Sequence, residues 1–252
     1  MTTDSYEGGL DGAVIAVAGA GGPAGRAVLQ RLARSGGHVI AADADPERLA
    51  RAVDDARYDA GGADITGEIV DLLDLEATQD WAARIEKDHG RVDGLVHLVG
   101  GWRGSASFPE TELADWDVLH DLLIRTVQRT SLAFHDGLMR SPGGRYVLVS
   151  AAGAAKPTAG NAAYAASKAA AEAWTLALGD SFRKLGGDGG PGAAATILVI
   201  KALVHDGLRA ERPDAKFAGF TDVRDLAEAV ADIWNRSATE VNGTRQWLTP
   251  PS

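Results

Sequence analysis

Cysteine is absent from the 252-residue sequence. This absence excludes disulfide bonds, thiolate catalysis and cysteine-ligated metals. It is compatible with a cytoplasmic protein, and we expect that location. None of the six histidines has a spacing to a second ligand that is typical of a zinc site, so we predict no metal.

Positive charge is also scarce, because 25 lysines and arginines stand against 35 aspartates and glutamates, for a formal net charge of −10. Such a negative field disfavours nucleic acid and anionic membranes as partners. Apolar runs of about 18 residues are missing, so the sequence predicts no membrane-spanning helix. The polar N-terminus lacks the basic and apolar regions of a secretory signal.

The sequence does contain short apolar runs that alternate with longer stretches typical of helices. The runs cover residues 13–18, 38–42, 67–70, 94–99, 146–149, 194–200 and 246–248. This alternation indicates parallel strands buried on both faces. We therefore predict a single-domain α/β fold, a doubly wound parallel sheet with helices on both faces.

The predicted domain covers residues 12–252 and follows a flexible tail over residues 1–11. Residues 202–220 follow the end of a predicted strand, where ligands bind in such sheets, and we expect a substrate lid there. An ordinary surface helix and loop is the alternative. His205 would line this lid, and Trp102 would line the substrate pocket at its mouth. For Trp102 the alternative is packing within its own loop.

A glycine-rich turn follows the first apolar run and precedes a helical stretch. Its candidate cofactor-binding residues are Gly19, Gly21, Gly22, Pro23, Ala24 and Gly25. Glycines permit a tight turn and close approach of the backbone to a pyrophosphate, and a helix N-terminus adds N–H donors. The turn is typical of a Rossmann-like dinucleotide site, although alone it also fits a plain strand-to-helix connection.

Asp43 ends the second apolar run, at the place where such folds carry an acidic residue after the glycine-rich turn. An acidic side chain there accepts hydrogen bonds from the adenosine ribose and repels a 2′-phosphate. The next residues are Ala44 and Asp45 rather than an arginine, which favours NAD over NADP as the cofactor. A helix-capping role is the alternative for Asp43, but Asp45 before Pro46 is the better cap.

Tyr164 and Lys168 lie four residues apart in the segment YAASK, which places them on one helix face. A nearby ammonium lowers the pKa of a tyrosine, and lowering it by about three units takes about 4 kcal/mol. Such a tyrosine protonates a carbonyl oxygen, or deprotonates an alcohol, as hydride moves. By itself, the pair also fits an ordinary surface helix.

Together these features resemble the short-chain dehydrogenase/reductase family over nearly the whole chain. The residues that carry the resemblance are the glycine-rich turn, Asp43, Asp71, the strand end Leu95–Gly100, Ser150 and YAASK, in the family's order. The resemblance implies that Tyr164 is the general acid–base and that Lys168 holds the nicotinamide ribose. It also implies cofactor contacts from Asp71, Leu72, Val99 and Gly100.

The sequence departs from the family pattern around this site. Ala18 and Pro23 replace the threonine and the middle glycine of the turn, and His97-Leu98-Val99-Gly100 replaces NNAG. Leu123 aligns with the family's helix asparagine. We expect His97 to be a packed, hydrogen-bonded residue, with a direct functional role as the less favoured alternative.

The serine of the family pattern usually stands one position closer to the tyrosine than Ser150 does here. Ala151 occupies that usual position in this sequence. Because Ser150-Ala151-Ala152-Gly153 matches the serine segment, a loop insertion of one residue is the simplest account, and we take Ser150 as the substrate-orienting hydroxyl. A serine that caps local backbone is the alternative.

The favoured function is an oxidoreductase that transfers hydride between NAD(H) and a small-molecule ketone or secondary alcohol. One alternative is a catalytically weak or non-catalytic dinucleotide-binding protein on the same scaffold. Another is an isomerase or lyase that uses the same tyrosine. The resemblance also implies a homotetramer or homodimer, built partly on the helices that carry Trp116 and Tyr164.

Overall fold

The computed structural model describes residues 10–187 and 192–248. Within these ranges the protein forms a seven-stranded parallel sheet in the order β3-β2-β1-β4-β5-β6-β9 and a separate two-stranded sheet of β7 and β8. The strands are β1 (Val14–Ala18), β2 (His38–Asp43), β3 (Ile65–Ile69), β4 (Gly94–His97), β5 (Arg145–Ala151), β6 (Ala194–Ile200), β7 (Leu203–Val204), β8 (Thr221–Asp222) and β9 (Thr244–Trp247).

Helices connect these strands and cover both faces of the large sheet. They are α1 (Gly25–Arg34), α2 (Pro46–Asp59), α3 (Leu75–His89), α4 (Leu113–His120), α5 (Thr126–Arg140), α6 (Ala162–Leu185), α7 (Asp206–Glu211), α8 (Val223–Asp232) and α9 (Ala238–Val241). A π-helical segment, Asp121–Arg125, joins α4 to α5. The prediction of a doubly wound parallel sheet is confirmed.

Two hydrophobic cores lie on the two faces of the sheet. Side chains alternate along β1, so that Ile15 and Val17 pack under α1, α2 and α8, while Val14 and Ala16 pack under α3, α5 and α6. All five residues of β1 are buried, as expected for a central strand covered on both faces. This central position places the glycine-rich turn after β1 at the middle of the sheet.

The strand order reverses on either side of β1. Its neighbours are β2 on one side and β4 on the other, and both run parallel to it. In such sheets a crevice opens where the strand order reverses, at the carboxyl ends of the strands. The fold therefore brings the turn after β1, the end of β2 and the end of β4 to one place.

Several boundaries differ from the predictions. Strand β4 stops at His97, earlier than its apolar run, and β5 extends through Ser150 to Ala151. The predicted tail is too long, because Leu10 is buried in the core under α1. The prediction for residues 1–9 falls outside the described residues.

Candidate active site

A cavity of about 870 Å³ opens at the carboxyl ends of the strands. Its size falls in the range of small-molecule and cofactor sites. Among its lining residues are Gly19, Gly22, Pro23, Asp43, Asp71, Leu72, Val99, Gly100, Trp102, Ser150, Tyr164 and Lys168. Most of the predicted site residues, from several different connections, therefore meet in one cavity.

The glycine-rich turn depends on close packing at two of its positions. Gly19 has φ +78°, and a Cβ built there would lie 2.7 Å from the backbone nitrogen of Val99. A Cβ on Gly25 would lie 1.6 Å from the carbonyl oxygen of Ala20. Because both positions exclude a side chain, the backbone after β1 is held open to the cavity. This geometry fits a dinucleotide pyrophosphate.

Three of the predicted turn residues do not line the cavity, namely Gly21, Ala24 and Gly25. Their roles lie in the packing of the turn. The backbone nitrogen of Gly21 donates to Asp43 Oδ2 at 3.0 Å, which ties the turn after β1 to the end of β2. Gly25 permits the close approach of α1 to the turn, as the third glycine of such motifs does.

Asp43, at the end of β2, lines the cavity, is largely buried and is held by several hydrogen bonds. In addition to the contact with Gly21, its Oδ1 accepts from the backbone nitrogen of Asp45 at 3.0 Å. Arg48 Nη2 lies 3.4 Å from the same oxygen, and the Arg48 side chain lines the cavity. Arg48 was not predicted from the sequence, because only the first turn of α2 folds it back beside Asp43.

Tyr164 and Lys168 lie in the first turns of α6. Lys168 is 6% exposed, and its Nζ donates to the carbonyl oxygen of Val149 at 3.0 Å. Burial lowers the pKa of Lys168 to about 8, and the carboxylate of Glu172 opposes that effect. The lysine therefore carries its charge at neutral pH.

The pKa of Tyr164 shifts in the opposite direction from that of Lys168. Burial raises the pKa of Tyr164 to about 12, so the phenol keeps its proton in the cofactor-free protein. Bringing that value down to 7 takes about 7 kcal/mol, which exceeds the roughly 4 kcal/mol expected for a free tyrosine. In this state Tyr164 is chemically a proton donor, as carbonyl reduction requires.

Ser150 lies in β5 and lines the cavity, but its hydroxyl is hydrogen-bonded to Glu172, a buried residue that does not line the cavity. Its Oγ donates to Glu172 Oε1 at 2.6 Å. Glu172 is 6% exposed, and its Oε2 lies 2.8 Å from Arg245 Nε in β9. Sequence reasoning missed both Glu172 and Arg245. One sequence feature could have predicted Glu172, since it follows Lys168 by one helical turn on the same helix face.

The family model for the short chain dehydrogenases matches residues 13–186 of this chain. The protein belongs to the short-chain dehydrogenase family. It is 31% identical over 171 residues to a 2,3-dihydro-2,3-dihydroxybenzoate dehydrogenase of Bacillus subtilis, a match that covers 68% of this chain and 64% of that relative. The chain thus matches somewhat less than two thirds of that relative's length.

Solved structures show the same fold. NAD⁺-bound xylitol dehydrogenase superposes with a TM-score of 0.80 at 17% identity, covering 95% of this chain and 98% of the other. A short chain dehydrogenase of Shigella flexneri complexed with NADP gives 0.81 at 21% identity, covering 94% and 97%. At these identities the likeness establishes the fold alone.

Two residues of this short-chain dehydrogenase depart from the family pattern in the interior. His97 is fully buried, so the prediction that it is packed is confirmed. Neither of its ring nitrogens has a hydrogen-bond partner among the described residues, so the predicted hydrogen bond was wrong. Burial, reinforced by the Lys168 charge, lowers the pKa of His97 to about 3. Leu123 is buried within the π-helical segment, which makes the place of the family asparagine apolar.

The cavity is also lined by Trp102, which is 62% exposed, and by residues that were not predicted from the sequence. Those missed residues include Lys156, Thr158, Asn161 and Trp247. His205 does not line the cavity. Its Nδ1 instead accepts from the backbone nitrogen of Leu208 at 3.3 Å and caps α7.

The predicted lid corresponds to β7, α7 and the loop that leads to β8, and only Ala202 and Leu203 of this segment reach the cavity wall. Among the described residues, no cluster of three potential metal ligands is found. Across the same ranges, no helix combines the length and the apolar character needed to cross a membrane.

Proposed function

We propose that the protein is an NAD(H)-dependent oxidoreductase that interconverts a small-molecule ketone and a secondary alcohol. The observation that carries this proposal is the convergence of Tyr164 and Lys168 with the glycine-rich turn on one cavity. A surface helix pair would not share a cavity with a dinucleotide turn. The isomerase and lyase alternatives use the same tyrosine, but no feature of the described cavity lining favours them.

Each part of the cavity then has a role. The glycine-rich turn holds the pyrophosphate, Asp43 accepts from the adenosine ribose, and Lys168 holds the nicotinamide ribose. When bound, the nicotinamide would supply or accept the hydride. Tyr164 gives its phenolic proton to the carbonyl oxygen in reduction, and takes a proton from the alcohol in oxidation.

NAD remains the proposed cofactor rather than NADP. A 2′-phosphate would have to approach the carboxylate of Asp43, which is held in place by two backbone N–H groups. Arg48 offers a positive charge to that phosphate, but its guanidinium already pairs with Asp43 at 3.4 Å and Asp45 at 3.1 Å. The arginine charge is therefore largely offset.

The substrate end of the cavity favours a partly apolar molecule that carries an anionic group. Its wall offers Trp102, Trp247 and Leu122, with Lys156 as a cation. The carboxylates among the described lining residues, Asp43 and Asp71, both belong to the adenosine end. The similar dehydrogenase of Bacillus subtilis is named for a benzoate, a substrate of this kind.

A catalytically weak dinucleotide-binding protein is the second candidate. It is favoured by the Ser150 hydroxyl, which donates its hydrogen bond to Glu172 rather than to a substrate oxygen. Substrate orientation by Ser150 therefore remains a proposal that needs the hydroxyl to turn. With one donor fewer, Tyr164 alone would stabilise the substrate oxygen.

We also propose a homodimer or homotetramer in the cytoplasm. The outer faces of α4, α5 and α6 carry exposed apolar side chains that support an interface between copies, including Leu113, Leu132 and Trp174. Light scattering on the purified protein would measure the mass directly. A monomer at micromolar concentration would contradict the oligomer.

A panel of ketones and secondary alcohols, each with and without a carboxylate, tests the proposed activity through NADH absorbance. We expect turnover of at least one acid-bearing substrate, and a 10²- to 10⁴-fold lower kcat, roughly, in Tyr164→Phe. The Kd for NADH, measured by fluorescence, should stay within about twofold of the unmodified protein, because the phenyl ring is kept. Unchanged turnover in Tyr164→Phe would remove the tyrosine from the mechanism.

A further inference from the structure

The buried charges behind the cavity form a connected chain that the proposed reaction does not use. Ser150 donates to Glu172 at 2.6 Å, and Glu172 pairs with Arg245 at 2.8 Å. Glu172 also lies one helical turn beyond Lys168, on the same face of α6. Buried carboxylates are found hydrogen-bonded or paired with a cation, and Glu172, which is 6% exposed, has one partner of each kind.

We propose that Glu172 is a positioning residue of the catalytic pair, which keeps Lys168 charged and fixes Ser150 while Arg245 balances its own charge. The catalytic meaning of this role rests on the proposed function. The charges themselves are properties of the protein and can be measured without cofactor or substrate.

The balance of charge explains why three ionic groups are needed. Burial alone would push Lys168 towards its neutral form, and the Glu172 carboxylate counteracts that tendency. A lysine and a glutamate together would sum to zero, however, and would do little to favour a phenolate at Tyr164. Arg245 restores a net charge of one, so that the group behind the tyrosine stays positive.

Other elements around Lys168 add little to this balance. Strand β4 contributes His97, which stays neutral at physiological pH because its pKa is lowered to about 3. Strand β5 contributes the carbonyl oxygen of Val149, a neutral acceptor. The charged groups that set the ionisation of Lys168 are therefore Glu172 on α6 and, through it, Arg245 on β9.

Arg245 also links the charge chain to the cavity wall. Its guanidinium lies 5.4 Å from the ring centroid of Trp247, which lines the substrate end. Alternate residues of a strand point to the same side, so the two side chains of β9 lie together. The last strand of the sheet thus contributes both a wall residue and a charge to the site.

The test is the titration of Lys168 in the cofactor-free protein. Carbon-13 labelling of lysine gives signals from six residues, Lys87, Lys156, Lys168, Lys184, Lys201 and Lys216, and Lys168→Met identifies the one of interest. We expect a midpoint near pH 8 in the unmodified protein. In Glu172→Gln it should fall by about one pH unit or more, because the stabilising carboxylate is gone.

Arg245→Met should move the midpoint in the opposite direction, because it removes a positive charge that repels the Lys168 ammonium, while the Glu172 carboxylate keeps its hydrogen bond from Ser150. Arg245→Lys keeps the charge and should restore the original midpoint to within about 0.3 pH unit. Asp180→Asn removes one exposed carboxylate from the same helix and serves as the matched control. Its Lys168 midpoint should not change.

The opposite shifts of the two variants separate positioning from a merely structural role. A structural ion pair would lower the unfolding temperature of both variants but leave the Lys168 midpoint unchanged, and that result would overturn the proposal. Shifts of Glu172→Gln and Arg245→Met in the same direction would overturn it as well. If Glu172→Gln does not fold, the double variant Glu172→Met/Arg245→Met removes the buried pair together. It should still lower the midpoint, but by less than the loss of Glu172 alone, because the loss of the Arg245 charge partly offsets it.

The titration also keeps this inference separate from the proposed function. Shifted midpoints in a protein that turns over no ketone or alcohol would support the charge chain and contradict the enzyme. Turnover in a protein whose Lys168 titration midpoint is the same with and without the Glu172 carboxylate would support the enzyme and contradict the charge chain.

Discussion

Replacing Lys168 by methionine should abolish turnover and yet stabilise the protein at neutral pH. Lys168 is 6% exposed, and its burial disfavours the charged form of the side chain. Methionine has a similar length and no charge, so it fills the same space. Glu172 would still have Ser150 and Arg245 as partners, so no carboxylate is left unpaired.

The size of the effect follows from the pKa of Lys168. Burial lowers that pKa from 10.5 to about 8, and each pH unit corresponds to about 1.36 kcal/mol. The charged lysine therefore costs about 3 kcal/mol of folding free energy. Methionine loses the hydrogen bond to the Val149 carbonyl, which contributes about 1 kcal/mol. The variant should be more stable by about 2 kcal/mol at pH 7.

The pH dependence gives the prediction its sign. The cost is complete below pH 8, where Lys168 is charged in both the folded and the unfolded protein. Between pH 8 and 10.5 the folded protein has released the proton while the unfolded chain still binds it, so stability of the unmodified protein rises with pH. Near pH 10.5 the cost has vanished, and the lost hydrogen bond should make the variant less stable by about 1 kcal/mol.

Urea unfolding at pH 7, 8, 9 and 10 measures this difference. Lys184→Met is the matched control, because Lys184 is an exposed lysine on the same helix and pairs with Asp180 at 2.6 Å. The control should change stability by less than about 1 kcal/mol at every pH, as exposed ion pairs do. A Lys168→Met protein that is less stable at pH 7, or whose difference does not change with pH, would refute the reasoning.

Three further substitutions test the cofactor end. Asp43→Ala should shift the cofactor preference towards NADPH by about tenfold or more, whereas Arg48→Ala should strengthen the preference for NADH. Fluorescence titration measures the ratio of the Kd values for NADH and NADPH. Tighter binding of NADPH by the unmodified protein would contradict the assignment of NAD. Gly25→Ala places a methyl group 1.6 Å from a carbonyl oxygen and should lower stability by about 1–3 kcal/mol with loss of NADH binding. Gly192→Ala, where the space is open, should change neither, and equal effects from the two alanines would argue against the packing of the turn.

Much of the fold follows from local sequence features. The run at 194–200 corresponds residue for residue to β6. Apolar runs of this kind have one stable environment, a strand covered on both faces. The glycine-rich turn was predictable for a similar reason, because its backbone geometry excludes side chains.

Strand ends were less predictable than strand cores. The apolar run 94–99 continues past His97, but the chain leaves the sheet there to form the cavity wall with Val99. Apolar side chains suit the wall of a cavity as well as the interior of a sheet, so the pattern does not distinguish them. The burial of Leu10 was not predictable for a different reason, because a single apolar side chain gives no periodicity.

The sequence by itself determined the parallel sheet, the glycine-rich turn and the Tyr164–Lys168 pair, because each depends on residues within a few positions of one another. Only the tertiary structure decided the surroundings of that pair. Glu172 and Arg245 are far apart in the chain, and they meet because β9 pairs beside β6 at the edge of the sheet. Ionisation in a buried site depends on such distant charges, and no local pattern encodes them.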